Sequence, residues 1–206
     1  MSVAPILEVH SDHPHPRHIQ KAVEVLRADG VMAYPTDTNY GIGCAIFSKK
    51  GIDRLYQLKD RDRDRKKPFS LLCPDLSDVA KYGLVSNFAY RTMKQLTPGP
   101  FTFILTATRT VPEIMQNRQS QVGIRVPNAP FILAVAAELG RPIVTTSAVD
   151  PKGGEALVDA RSIKEILGNR IDFILDGGMQ PNEPSTVVSL IGDEITLIRQ
   201  GKGILS

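Results

Sequence analysis

From Lys59 to Lys67 the chain reads Lys-Asp-Arg-Asp-Arg-Asp-Arg-Lys-Lys, six cations against three carboxylates. This one stretch carries a net charge equal to the +3 of the whole 206-residue protein. In an extended segment, alternate residues point to opposite sides, so the cations at 59, 61, 63 and 65 would form one row and the aspartates at 60, 62 and 64 another. A row of cations can meet a phosphate, whereas the same run can also be a solvated loop that neutralises itself. Arg125 is the second cation of interest, set among apolar neighbours in Gly123-Ile-Arg-Val-Pro127. A guanidinium in such a place needs an acidic partner, either a structural Asp or Glu or the carboxylate or phosphate of a substrate.

Four further polar segments fall where strands are expected to end, which is where open α/β sheets collect ligands. Residues 34–43, Tyr-Pro-Thr-Asp-Thr-Asn-Tyr-Gly-Ile-Gly, read as a turn set by Pro and Gly, with hydroxyls able to donate to an anion. The others are Thr97-Pro-Gly-Pro-Phe-Thr102, Thr145-Thr-Ser-Ala148, and Pro184-Ser-Thr-Val187 taken with Ile198-Arg-Gln-Gly201. Taken one by one, each is equally a capped turn.

Other chemistries lack their residues. There is no Gly-x-x-x-x-Gly-Lys-Ser/Thr loop, and Gly41-Ile-Gly43 is not followed by the third glycine of a dinucleotide fingerprint. All four histidines, His10, His13, His15 and His18, lie in the first 18 residues, so they read as a solvated segment rather than part of a catalytic triad or metal site. Cys44 and Cys73 are far apart and suggest buried apolar residues, not a disulfide or a zinc site. No apolar run approaches the roughly 18 residues of a membrane helix, and the first residues lack a secretion signal, so a cytoplasmic protein is expected.

The elements that must carry these loops follow from periodicity. Helices are expected near residues 16–29, around Ile52, Leu55 and Tyr56 (with Lys59 at the C-terminal end), and near 87–96, 131–139 and 163–167. Strands are expected at 31–34, 69–73, 101–106, 122–126, 143–146, 171–175, 186–190 and 195–199, the last two as an antiparallel hairpin. Strands alternating with helices make an α/β layered fold with a mixed sheet, and 206 residues suit one domain, 1–206.

In this order the segments resemble the YrdC/YciO family of threonylcarbamoyl-adenylate synthases and their relatives, from about Val9 to Gly201. The match rests on Pro-Thr-Asp-Thr-x-Tyr-Gly-x-Gly at 35–43, Lys-x-Arg at 59–61, Lys-Pro at 67–68, and Pro-Gly-Pro-x-Thr at 98–102. Arg-Val-Pro at 125–127, Thr-Ser-Ala at 146–148 and Ser-Thr-Val at 185–187 complete it. One departure is Val149, where synthases of the family commonly carry an asparagine. Valine cannot make that residue's hydrogen bonds, and the chain looks closest to the YciO branch.

The resemblance implies a three-layer YrdC/RibB-like fold around a twisted mixed sheet with a basic concave face, without the extra C-terminal domain of longer members. It implies a reaction in which L-threonine and bicarbonate give a carbamate that attacks ATP, with Mg2+ on the triphosphate, to yield threonylcarbamoyl-AMP and pyrophosphate. Lys59 and Arg61 would be catalytic, meeting anionic groups; Thr36, Tyr40, Lys67, Thr102 and Ser147 would bind substrate; Arg125, Ser185 and Arg199 would bind the nucleotide. Alternatives are a non-catalytic module for tRNA or double-stranded RNA, and a nucleotide-hydrolysing relative.

Overall fold

Strands show successive side chains to opposite faces, and Phe-Thr-Phe-Ile-Leu-Thr in β5 (Phe101–Thr106) sorts accordingly. Phe101, Phe103 and Leu105 enter the main core, while Thr102 and Ile104 line a cavity on the other face. β6 (Gln121–Arg125) sorts the same way, burying Val122 and Ile124 and turning Gln121, Gly123 and Arg125 to the cavity. The computed structural model describes residues 3–59 and 69–205.

Within these residues the remaining strands are β1 (Ile6–Glu8), β2 (Met32–Tyr34), β3 (Gly41–Ala45), β4 (Ser70–Leu72), β7 (Ile143–Ser147), β8 (Phe173–Asp176), β9 (Thr186–Ser189) and β10 (Thr196–Arg199). They form one mixed sheet in the order β1-β8-β2-β3-β7-β4-β6-β5-β9-β10, parallel at β1/β8, β8/β2, β4/β6 and β5/β9 and antiparallel elsewhere. The helices are α1 (Pro16–Arg27), α2 (Lys49–Leu58), α3 (Leu76–Tyr82), α4 (Asn87–Leu96), α5 (Pro130–Leu139) and α6 (Ala160–Leu167). None of the described helices is long and apolar enough to cross a membrane.

Two layers of helix flank the sheet unequally. On one face α2, α3, α4 and α6 bury Ile52, Leu55, Val79, Met93 and Ile163 in the main core. On the other, α1 and α5 pack Ala22, Val23 and Leu26 with Phe131, Ile132 and Val135 over Tyr34, Leu72, Ile143, Phe173 and Leu175. No residue of β5, β6, β9 or β10 joins that second cluster, so about half of this face is uncovered. Both cysteines are buried and unpaired in the covered regions, where desolvation raises their thiols' pKa.

The mixed sheet, the three layers and the C-terminal hairpin agree with expectation. Three elements were not visible as periodic patterns: β1 and α3 are too short, and β3 begins at Gly41 inside what reads as a turn. The strand expected at 171–175 begins two residues later, at Phe173. α1 stops at Arg27, two residues before the expected end, and Asp29 (φ 61°) takes the left-handed conformation that turns the chain toward β2. Gly30 is required, because its amide donates to the Val25 carbonyl at 2.9 Å and a Cβ there would lie 2.6 Å from that oxygen.

Gly41 and Gly43 have a packing reason of their own. Tyr34 lies across β3, and its hydroxyl donates to Thr145 Oγ1 at 2.6 Å, beyond the strand. A Cβ on Gly43 would come within 2.8 Å of the Tyr34 hydroxyl and 2.5 Å of the Val144 carbonyl. Backbone cannot retreat as a side-chain tip can. Gly43→Ala is therefore expected to cost about 1–3 kcal/mol of stability, the usual range for forcing a methyl into a packed core, read as a lowered urea midpoint at unchanged slope. An unchanged midpoint would contradict this packing.

Candidate functional site

The uncovered half-face is a cavity of about 670 Å³, within the range of ligand pockets. β4, β6, β5 and β9 form its floor, and Ser70, Thr102, Ser185 and Ser189 put hydroxyls into it. Gly123 lies centrally: a Cβ there would meet Ser70 Oγ at 3.0 Å, so the missing side chain keeps the floor low. Thr102 Oγ1 and Ser185 Oγ stand 2.9 Å apart, joining β5 to the segment that enters β9.

Arg125 ends β6 and is 8% exposed. Its Nη2 donates to Asp37 Oδ1 at 2.7 Å and to Thr38 Oγ1 at 3.3 Å, while Asp37 Oδ2 accepts from the Asn128 amide at 2.8 Å. The acidic partner expected for this arginine is thus Asp37 of the chain itself. Arg125 Nε is buried and has no hydrogen-bond partner among the described residues. Arg199, at the end of β10, donates from Nη2 to the Ser185 carbonyl at 2.7 Å and to Ser185 Oγ at 3.3 Å.

Burial lowers the pKa of both guanidinium groups. For Arg125 the Asp37 charge opposes that effect, and the charge of Arg199 adds to it. Arginine stays charged regardless; the lowering reflects the burial of Arg125 and the partial burial of Arg199, with the charge of Arg199 felt at Arg125.

Lys59 comes from the other layer to Ser147, which lines the cavity. Ser48 caps α2 by accepting from the Gly51 amide, and Arg54 ties the helix to Asp172, the residue before β8, with Nη1 to Oδ2 at 2.5 Å. Ile52, Leu55 and Tyr56 bury its inner face. The helix ends at Lys59, whose Nζ donates to the Ser147 carbonyl at 2.6 Å, and Ser147 lines the cavity.

The structure therefore brings together Thr102, Arg125, Ser147, Ser185 and Arg199, with Lys59 attached at Ser147. Thr36 and Tyr40 are not among the residues that line the cavity. Thr36 is 4% exposed, and its hydroxyl donates to the Asn39 carbonyl at 2.6 Å. The Tyr40 hydroxyl, its pKa pushed up to about 12 chiefly by burial, donates to the Gly178 carbonyl at 2.9 Å and accepts from the Gly177 amide at 3.1 Å. Both side chains hold the 36–40 loop, and it is Asn39 and Gly41 that line the cavity. Arg61 and Lys67 lie outside the described residues.

Asp37, Ser70 and Gln121 are at the site without having been singled out. Alternation along β4 and β6 puts Ser70 and Gln121 on the same faces as their cavity neighbours, but the sequence does not say which face lacks a helix. The histidines stay at the surface, where His15 Nδ1 accepts from the Arg17 amide as the cap of α1. Among the described residues no group of three His, Cys, Asp or Glu could hold a metal.

A family model described as "Telomere recombination" (Sua5, YciO, YrdC) matches residues 24–201. The YciO protein of Escherichia coli (strain K12) is 37% identical over 95% of this chain and 94% of its own. The crystal structure of E. coli YciO superposes with a TM-score of 0.90, covering 98% of this chain and 97% of that one. A threonylcarbamoyl-AMP synthase of Coxiella burnetii (strain RSA 493) is 30% identical over 86% of this chain and 95% of its own. Sua5 of P. abyssi, complexed with L-threonine, is 25% identical with a TM-score of 0.87, covering 96% of this chain and 58% of that longer one. With a hydroxyl-lined cavity flanked by two arginines and this extent of similarity, the chain belongs to the Sua5/YciO/YrdC family.

Proposed function

We propose that this protein binds ATP in the cavity and condenses it with L-threonine and bicarbonate to form threonylcarbamoyl-AMP and pyrophosphate. The observation that carries the reading is that Arg125, buried and with its Nε unpartnered among the described residues, and the more exposed Arg199 line one cavity. Two such cations are stabilised by an anion that bridges them, and a polyphosphate supplies that charge. The similarity to synthases at about 30% identity, and to a relative complexed with L-threonine, supports the choice of substrates.

In this reading the amine of threonine takes up bicarbonate with loss of water, and a carbamate oxygen attacks the α-phosphorus of ATP. The bond to the β-phosphate breaks and pyrophosphate leaves. Such a displacement is driven by positioning and by neutralising phosphate charge, so a site without histidine suits it. Arg125, Arg199, Ser185 and Ser147 hold the nucleotide, and Thr102 and Lys59 the reacting end, joined by Arg61 and Lys67. Thr36 and Tyr40 act from behind by fixing the loop that carries Asn39. Mg2+ arrives as part of the nucleotide substrate, and the adenylate is destined for a tRNA adenosine.

One observation favours a second reading, in which the nucleotide is bound or hydrolysed without threonine. The position after Ala148, commonly an asparagine in synthases of the family, is Val149, whose backbone bridges to Ala156. Its side chain offers no hydrogen bond beside Ser147.

Two measurements separate the readings. Mixed with MgATP and bicarbonate, the protein should release pyrophosphate only when threonine is present, and Lys59→Ala should slow release about ten- to hundredfold, the worth of one charge-assisted contact. Release that ignores threonine would replace the synthase by a hydrolase; no release, with steeply salt-dependent RNA binding, would replace it by an RNA-binding module. Arg199→Ala, on an exposed edge strand, should leave the melting temperature within a few degrees and weaken ATP binding about ten- to hundredfold by calorimetry. Undiminished ATP affinity would remove Arg199 from the nucleotide site.

A further inference from the structure

Arg125 is held by a residue that does not itself reach the cavity. Asp37 is partly buried, its side chain 10% exposed, and it uses both oxygens: one on Arg125 Nη2, the other on the Asn128 amide just before α5. Its own carbonyl accepts from Lys202 Nζ at 2.6 Å, three residues beyond Arg199. This single residue therefore touches β6, the start of α5 and the C-terminal segment that follows β10.

The arrangement leaves Arg125 unfinished. One Nη is committed to Asp37 and Thr38, while Nε has no partner among the described residues. A buried donor without a partner in a native protein calls for an explanation, and an incoming ligand or water is the ordinary one. A guanidinium gripped on one side by a fixed carboxylate has lost the freedom to swing with a bound anion, and its charge is already countered by that carboxylate. Orientation is gained at the expense of raw attraction.

We infer that Asp37 is a positioning residue for the nucleotide reaction: it fixes the orientation of Arg125 and tempers its charge, so that the phosphates are aligned and pyrophosphate is released. This rests on the nucleotide reading above and extends it to a residue that touches no substrate. Removing the carboxylate then has opposite effects on binding and turnover, which loss of structure alone does not produce.

The test is calorimetric binding of pyrophosphate and MgATP together with steady-state pyrophosphate release, on variants first checked for native circular dichroism. Asp37→Asn should bind pyrophosphate about three- to tenfold more tightly, because Arg125 is no longer neutralised, while kcat falls at least about tenfold. Asp37→Glu, which keeps the charge but displaces it, should lower kcat with pyrophosphate affinity within about twofold of wild type, and it serves where the asparagine variant does not fold. In an Arg125→Gln background, adding Asp37→Asn should change neither quantity further, since the group through which Asp37 acts is gone.

Parallel losses of affinity and kcat in both backgrounds, or no change in any variant, would overturn the positioning role while leaving the nucleotide reading standing. A wild-type protein that binds neither pyrophosphate nor MgATP would end both.

Discussion

The largely buried pair of Arg125 with Asp37 is the constraint on which the site depends, because it lies where the covered half of the sheet face gives way to the open half. On one side of it α5 starts and the apolar cluster with α1 begins; on the other lies the cavity. For stability alone such a pair is a poor device, since desolvating two charges roughly cancels their attraction and an apolar pair of the same volume would serve as well or better. What apolar residues cannot do is keep a charged guanidinium in the wall of a cavity. The pair makes sense as a way to hold a cation where a ligand will meet it.

How the rest of the fold serves that point follows from strand alternation. Thr102, Gln121, Gly123 and Arg125 share a face because they sit two apart or pair across β5 and β6, with Ile104 opposite Gly123. β9 then adds Val187 beside Thr102, and the Ser185 hydroxyl, just ahead of β9, closes the floor. Lys59 comes from the opposite layer, around the end of β7, through a helix whose register is set by an apolar face and the Arg54 pair with Asp172. Residues from 37 to 199 meet because the mixed order of the sheet brings them together, not because they are near in the chain.

That difference marks what could be read from the sequence. Long periodic elements such as α4 and β5 were legible, since their patterns are local. Of the candidate cations, Arg125 was legible from its apolar surroundings and Lys59 from its charged run, while Arg199 followed from the resemblance; Arg125 and Arg199 line one cavity, and Lys59 is attached at Ser147. The direction of Thr36 and Tyr40 was not legible: a hydroxyl in a Gly- and Pro-rich loop looks the same whether it faces a ligand or closes a backbone turn. Here the two hydroxyls satisfy Asn39, Gly177 and Gly178, groups whose nearness is tertiary. Asp37 was hidden for a related reason, as an aspartate in a turn reads as a turn former until its partner, 88 residues away, is known.

The two arginines also differ in how firmly they are held, and the difference has mechanical meaning. Arg125 is fixed in a central strand by the carboxylate of Asp37. Arg199 stands on β10, an edge strand whose four residues are all exposed and whose pairing with β9 is irregular between Leu197 and Arg199. Strands with few buried contacts open at lower free energy than the core, so β10 is the part of the cavity wall best able to adjust. Its link to the core is local: Arg199 to Ser185, and Gly201 packed so closely on the 184–185 backbone that a Cβ would come within 2.2 Å of the Pro184 carbonyl. The cavity wall therefore pairs a cation held in place by a fixed carboxylate with one carried on a strand that can shift.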